Sequence, residues 1–301
     1  MTRRYVSDEE DSDRWNRFPF REGDVVVSTR SKSGTTWVQQ ICLLLLHGTP
    51  DLPAPLGELS PWVDWLTIPE DDLFARLEAQ PGRRVVKTHT PLDGVVIDPR
   101  ATYIVVVRDP LDMAVSLYHQ GDNLDRERIA ELTGRPYAGP VTRPPVDEWL
   151  RVWTQRETDP MVSMDSLQGV VHHAADAADR RDDRRVLLLR YEDLVADLAG
   201  WMGRLAEKLG VDVDPEVWPA LVESAGFGSM RADAAARAPD RRGVLKDPAA
   251  FFRRGRPGEG REVLSRSDVA AYEERVRRLV DAESPSEPAE VLRLLGVPPA
   301  P

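Results

Sequence analysis

Along the 301-residue chain, short apolar runs rich in β-branched residues alternate with longer stretches whose apolar positions recur every three to four residues. Four runs read as buried strands: Val25-Val26-Val27, Arg84-Val85-Val86, Tyr103-Ile104-Val105-Val106-Val107 and Val186-Leu187-Leu188-Leu189. Their near-continuous apolar character suits a sheet covered on both faces, as parallel sheets are. Helical periodicity lies near 35–47, 69–79, 110–120, 146–157, 164–180 and 193–209. This βαβ alternation predicts an α/β fold, a single domain with a central parallel sheet flanked by helices. Residues 1–22 read as a partly ordered N-terminal tail in which Trp15, Phe18 and Phe20 are able to fold back, and residues 23–301 read as the domain.

Each predicted strand ends in polar residues, and in open α/β sheets ligands gather at the carboxyl ends of strands. Those ends are Ser31-Lys32-Ser33-Gly34, Lys87-Thr88-His89, Arg108-Asp109-Pro110 and Arg190-Tyr191-Glu192-Asp193. The first runs straight into a helix beginning Thr35-Thr36-Trp37, so a tight loop presents backbone N–H groups at a helix N-terminus, where an anion is stabilised. A plain turn with a helix cap is the competing reading of this loop alone. Lysine, histidine and arginine on the neighbouring strand ends favour a P-loop-like anion site. The order differs from the ATPase pattern GxxxxGK[ST], because Lys32 precedes Gly34 and the hydroxyls follow it.

Charge sharpens this picture. With 40 basic against 51 acidic residues the formal net charge is −11, so broad attraction to nucleic acid or an anionic membrane is not expected and an anion must be caught locally. At 41% hydrophobic the chain can bury a large core. The single cysteine, Cys42, sits in an apolar run and reads as a core residue, and no disulfide can form within one chain. The N-terminus lacks an apolar signal region and no apolar run reaches membrane-spanning length, so a cytoplasmic location is expected.

Five blocks in order resemble the cytosolic aryl and alcohol sulfotransferases that use 3′-phosphoadenylyl sulfate (PAPS). They are Lys32-Ser33-Gly34-Thr35-Thr36-Trp37, Lys87-Thr88-His89-Thr90-Pro91-Leu92, Arg108-Asp109-Pro110 through Val115-Ser116, Tyr191-Glu192-Asp193 and Phe251-Phe252-Arg253-Arg254-Gly255-Arg256-Pro257-Gly258, spread over roughly residues 20–280. The stretch Val86–Gly94 is also similar to actinobacterial glycolipid sulfotransferases. The resemblance implies that a sulfuryl group passes from PAPS to a hydroxyl by in-line displacement, without a metal. It further implies that Lys32 steadies the leaving oxygen while Ser33, Gly34, Thr35 and Thr36 form the phosphosulfate-binding loop. His89 would then be the general base and Lys87 its supporting charge. Arg108, Ser116, Arg253, Arg254 and Gly255 would hold the 3′-phosphate, and Trp37, Phe227 and Tyr191 the adenine. Sulfuryl transfer, like phosphoryl transfer, relies on positioning and charge stabilisation, which suits this set. His47, His119, His172 and His173 match no block and read as structural or solvent-facing.

The chain departs from the family at Arg30-Ser31, where Tyr-Pro is usual, at Ala225-Gly226 in place of Thr-Ser, and at Gly258-Glu259-Gly260-Arg261 in place of Gly-Asp-Trp-Lys. The last change predicts a looser late loop. The family's dimer motif is not matched at Arg261, Ser265, Arg266 and Ala270, which leaves the oligomeric state open. Two rival readings stay open at this point: a kinase with Asp109 as its magnesium ligand, and a non-catalytic nucleotide-binding module. For the acceptor, a small-molecule or glycolipid hydroxyl, two walls are available, Trp149 with Trp153 and Trp62 with Trp65. Core packing is the alternative for each.

Overall fold

The computed structural model describes residues 2–137, 139–140, 142–239, 242–284 and 286–300. Four parallel strands, β1 (Val25–Thr29), β2 (Val85–Thr88), β3 (Thr102–Val107) and β4 (Val186–Arg190), form one sheet in the order β2-β1-β3-β4. Register is in step, Val27 lying beside Lys87 and Ile104, and Val106 beside Leu189. Successive side chains on a strand face opposite ways, and the two faces bury different partners. Val25, Val27, Ile104 and Val106 pack with Ile41, Cys42 and Leu45 of the Thr35–His47 helix, while Val26, Val86, Tyr103 and Val105 pack with Trp15, Leu73 and Leu77. Each such aliphatic side chain contributes about 1.5–3 kcal/mol through burial. Cys42 is fully buried in the first of these layers, as expected.

The predicted helices appear with shifted ends. The periodic stretch 193–209 is interrupted at Asp197, whose carboxylate accepts a hydrogen bond from Gly200 N at 2.9 Å and starts the second of two helices, Tyr191–Ala196 and Leu198–Leu209. Beyond the predicted set, the 18-residue helix Arg266–Glu283 packs against Leu167–Asp179. No helix among the described residues is long and apolar enough to cross a membrane.

The N-terminal residues expected as a partly ordered tail are a built layer of the body. Trp15, Phe18 and Phe20 do fold back and are buried, and Tyr5 joins them with no exposed surface. Apolar area explains Trp15, whose indole also donates to Asp64 at 3.1 Å. Polar bonds explain Tyr5: its hydroxyl donates to Asp93 at 2.6 Å and lies 2.8 Å from His172 Nε2.

Candidate active site

The parallel order sets all four strand carboxyl ends on one edge. At the end of β1 the chain turns through Lys32, the one non-glycine described with positive φ (62°), and Gly34 (φ 98°) into the Thr35–His47 helix. A left-handed lysine costs about 1–3 kcal/mol and persists only where its surroundings hold it. Arg108 does so by donating to the Lys32 carbonyl at 2.8 Å. Gly34 is needed for space as well as conformation, since a Cβ there would lie 2.8 Å from the Tyr191 ring. The hydroxyls of Thr29 and Thr35 bond each other beneath the turn.

Above this edge lies a cavity of about 550 Å³. Its walls include Lys32, Gly34, Thr35, Thr36, Trp37, Lys87, His89, Arg108, Ser116, Tyr191, Phe227, Arg253, Arg254 and Gly255. Every candidate residue is thus gathered there except Ser33, which is buried under the loop at 2% exposure. Trp37 is fixed by its indole N–H donating to Ala225 O at 2.7 Å, so the Ala225-Gly226 departure still supplies a main-chain anchor. Arg108 lies over the Tyr191 ring at 4.3 Å. At Gly255 a Cβ would fall 2.5 Å from the Phe227 ring, and φ is 65°, so loop and ring are in contact through the missing side chain.

In a chain of net negative charge, this cavity concentrates cations. Burial, followed by the charges of Arg108, Lys87 and Arg253, lowers the Lys32 pKa to about 7. The Lys32 ammonium lies 3.6 Å from the Phe251 ring centre and 3.3 Å from Gln120 Oε1. Burial brings Lys87 down to about 8, partly offset by Glu10 and Asp64. His89 falls to about 3, from burial first and then Lys87 and Arg30, against the pull of Asp165 and the Thr29 carbonyl. Its Nδ1 lies 2.7 Å from Thr29 O, an atom able only to accept, so Nδ1 carries the proton and the Nε2 lone pair is left free to take one. The geometry also fits an arriving polyanion in its orphaned donors: Arg108 Nε and Arg253 Nε are buried without partners.

The late loop is tied down, contrary to the looser loop expected from Gly260. Asp112 accepts from Gly258 N at 2.6 Å and Gly260 N at 2.7 Å, and the Gly260 backbone lies so close to Leu111 that a Cβ would sit 2.4 Å away. Backbone contact does here what a tryptophan side chain would do elsewhere. Arg253 pairs with both oxygens of Glu259, and Arg254 lies 3.5 Å from the same carboxylate. Asp109 is outside the cavity wall. It caps the following helix through Leu111 N at 2.8 Å and faces Arg261 at 3.6 Å, which removes the residue on which a kinase reading depended.

Of the two tryptophan pairs, Trp62 and Trp65 line the cavity, stacked at 4.9 Å, and Trp62 meets His89 at 4.4 Å edge to face. Trp153 is packed in the interior, its indole donating to Asp165 O at 2.9 Å, and Trp149 lies half-buried against the same core cluster. His172 and His173 are buried in polar networks away from this wall, and His119 faces a separate shallow hollow. Sequence reasoning missed Glu10, Phe251, Asp165 and Glu259, which also line the cavity. Arg30, seen only as a departure, is buried at 2% and reaches the His89 carbonyl and Asp165, the latter at 2.7 Å.

A P-loop-like α/β fold whose strand ends carry a cationic cavity with a neutral imidazole defines a group-transfer enzyme acting on an anionic nucleotide. The sulfotransferase domain family matches residues 22–283 of this chain. A glycolipid sulfotransferase of Mycobacterium bovis (strain BCG / Pasteur 1173P2) is 35% identical over 289 residues, covering 89% of this chain and 88% of that protein. Mouse sulfotransferase 2B1 is 26% identical over 220 residues, 71% of this chain and 57% of its own length. Retinol dehydratase in complex with retinol and PAP shares the fold at a TM-score of 0.67, with 21% identity and 90% and 86% of the two chains covered. The chain belongs to the sulfotransferase domain family, and it is a PAPS-dependent sulfotransferase.

Proposed function

We propose that the protein sulfates a hydroxyl on a glycolipid or related aliphatic alcohol, and that the residues gathered at the strand ends carry the transfer. PAPS supplies a sulfuryl group on a phosphate that departs as part of adenosine 3′,5′-bisphosphate (PAP). In this reading the loop amides from Ser33 to Thr36, with the hydroxyls of Thr35 and Thr36, grip the 5′ end. Lys32 neutralises charge on the departing oxygen. Arg108, Ser116, Arg253, Arg254 and Gly255 hold the 3′-phosphate, and Trp37, Phe227 and Tyr191 take the base. His89 Nε2 receives the acceptor's proton, and Lys87 adds to the site's positive charge around the transferring group. A cytoplasmic location goes with this reading, as does a domain of residues 23–301 with residues 1–22 folded over its acceptor side.

One observation carries the proposal: a proton-accepting imidazole nitrogen and a lysine held in a left-handed loop share one cavity. The mycobacterial likeness supports a glycolipid acceptor. The test is incubation with PAPS and an acceptor panel of alkyl glycosides, alcohols and phenols, read by mass spectrometry for sulfated products. His89→Ala should abolish product while PAP affinity stays within about threefold, and Lys32→Ala should lower turnover by about 100-fold or more. Full turnover in either variant would remove its assigned role.

A further inference from the structure

Residues 7–10 precede the matched domain, yet Ser7, Asp8, Glu9 and Glu10 form part of the cavity wall. They are held there by backbone. Leu66 N donates to Glu9 O at 2.8 Å, and Asp11 N donates to Asp64 O at 2.9 Å, so Glu10 is clamped on both sides against Trp65. A trailing segment would lack both bonds.

The clamp leaves polar atoms without partners on this side of the cavity. Glu10 Oε2 is shielded from water and bonded to nothing, and Trp62 Nε1 is in the same condition. So is Nε of Arg30, a side chain almost fully buried in the same wall. An orphaned buried polar group costs about 1–3 kcal/mol, so a ligand group that pairs with these three atoms as their side chains turn towards the cavity is favoured. The set combines an acceptor with two donors. A hydroxyl both donates and accepts, whereas an ammonium would satisfy Glu10 and leave Arg30 and Trp62 unmet. Charge at this end of the cavity agrees with a neutral ligand: Asp165, Glu9 and Asp8 face Arg30, Arg126 and Arg135 at 2.7, 3.9 and 3.8 Å, so acids and bases balance there. Trp62 also touches His89, so what these atoms bind lies beside the hydroxyl being sulfated.

We propose that Glu10, with Arg30 and Trp62, recognises a second hydroxyl adjacent to the one attacked, making the enzyme selective for sugar or polyol headgroups over acceptors with a single hydroxyl. Glu10 is the specificity-determining residue, supplied by the N-terminal segment and not by the family domain. Burial, then the nearby Asp64 charge, raises its pKa well above the ordinary carboxyl range, which adds a donor form able to serve the same hydroxyl. This inference rests on the sulfotransferase reading above.

The test compares octyl β-glucoside with 1-octanol, which share a tail and differ in the sugar ring. Wild-type kcat/KM should favour the glucoside by about 100-fold or more. Glu10→Ala should cut the glucoside by about tenfold or more and change octanol by less than about threefold. Glu10→Gln, which keeps the shape and one acceptor oxygen, should fall between, and it decides the matter if the alanine variant folds poorly. Glucoside affinity for the enzyme–PAP complex, measured by calorimetry, should drop in the same order. Equal losses on both acceptors, or no loss on the glucoside, would overturn the inference while the transferase reading stood. No sulfated product from any acceptor would sink the transferase reading, and this inference with it.

Discussion

Lys32 enters the cavity with its ammonium form disfavoured, so anion binding should draw a proton onto it. With a free-enzyme pKa of about 7, Lys32 carries only about one-tenth of a proton at pH 8. A bound phosphosulfate or PAP replaces repulsion from Arg108, Lys87 and Arg253 by attraction, which returns the lysine towards its ordinary value near 10.5. Binding at pH 8 should therefore take up about 0.9 proton at this site, and at pH 6 only about 0.1. The same linkage weakens PAP binding by about 50-fold between pH 7 and pH 9, roughly 2.3 kcal/mol. Calorimetry in buffers of differing ionisation enthalpy reads the proton count directly. Lys87, at about 8, adds its own smaller uptake, so the informative quantity is the difference between wild type and Lys32→Met. If that difference is near zero at pH 8, or if PAP affinity is flat from pH 7 to pH 9, the electrostatic account of the loop is wrong.

His89 is held neutral by burial and neighbouring cations, with a pKa of about 3, so kcat/KM should stay level from pH 7 down to pH 5. An ordinary imidazole would lose about 30-fold over that range, and such a loss traced to His89 would refute the assignment. Arg253→Ala should weaken PAP by about 10- to 100-fold and adenosine 5′-monophosphate far less, whereas Glu259→Gln should tighten PAP by freeing Arg253; fluorescence titration of the two nucleotides separates these outcomes. Tyr5→Phe should lower stability by about 1–2 kcal/mol in denaturant melts, because its hydroxyl serves both Asp93 and His172. Burial opposes the charged form of His172, but bonds to Asp93 and Glu283 outweigh it and raise the pKa. Its contribution is then fully present below the unfolded value near 6.5 and fades as pH rises through the folded value, so His172→Gln should cost more at pH 6 than at pH 8.5.

Much of this was legible because the informative residues are local in sequence. Val25 to Trp37 contain strand, turn and helix start in one stretch, and the four apolar runs reveal their parallel arrangement without knowledge of contacts. The strand-end lysine, histidine and arginine follow directly from that arrangement. What escaped depends on distant partners. Glu10 sits in the stretch that reads as a partly ordered tail, and only the bonds of its neighbours Glu9 and Asp11 to Leu66 and Asp64 bring it to the cavity. Arg30 looked like a lost tyrosine, and Asp165, its partner, is 135 positions away. Gly260 suggested looseness because a sequence shows a missing ring and not the two amides that Asp112 accepts.

The carboxylate of Glu259 engages the two arginines that the proposed function gives to the 3′-phosphate. Those guanidinium groups are thus engaged by an internal anion. Under the proposed function, docking would become an exchange of one anion for another, moderating affinity and giving the spent nucleotide a built-in competitor that hastens its departure.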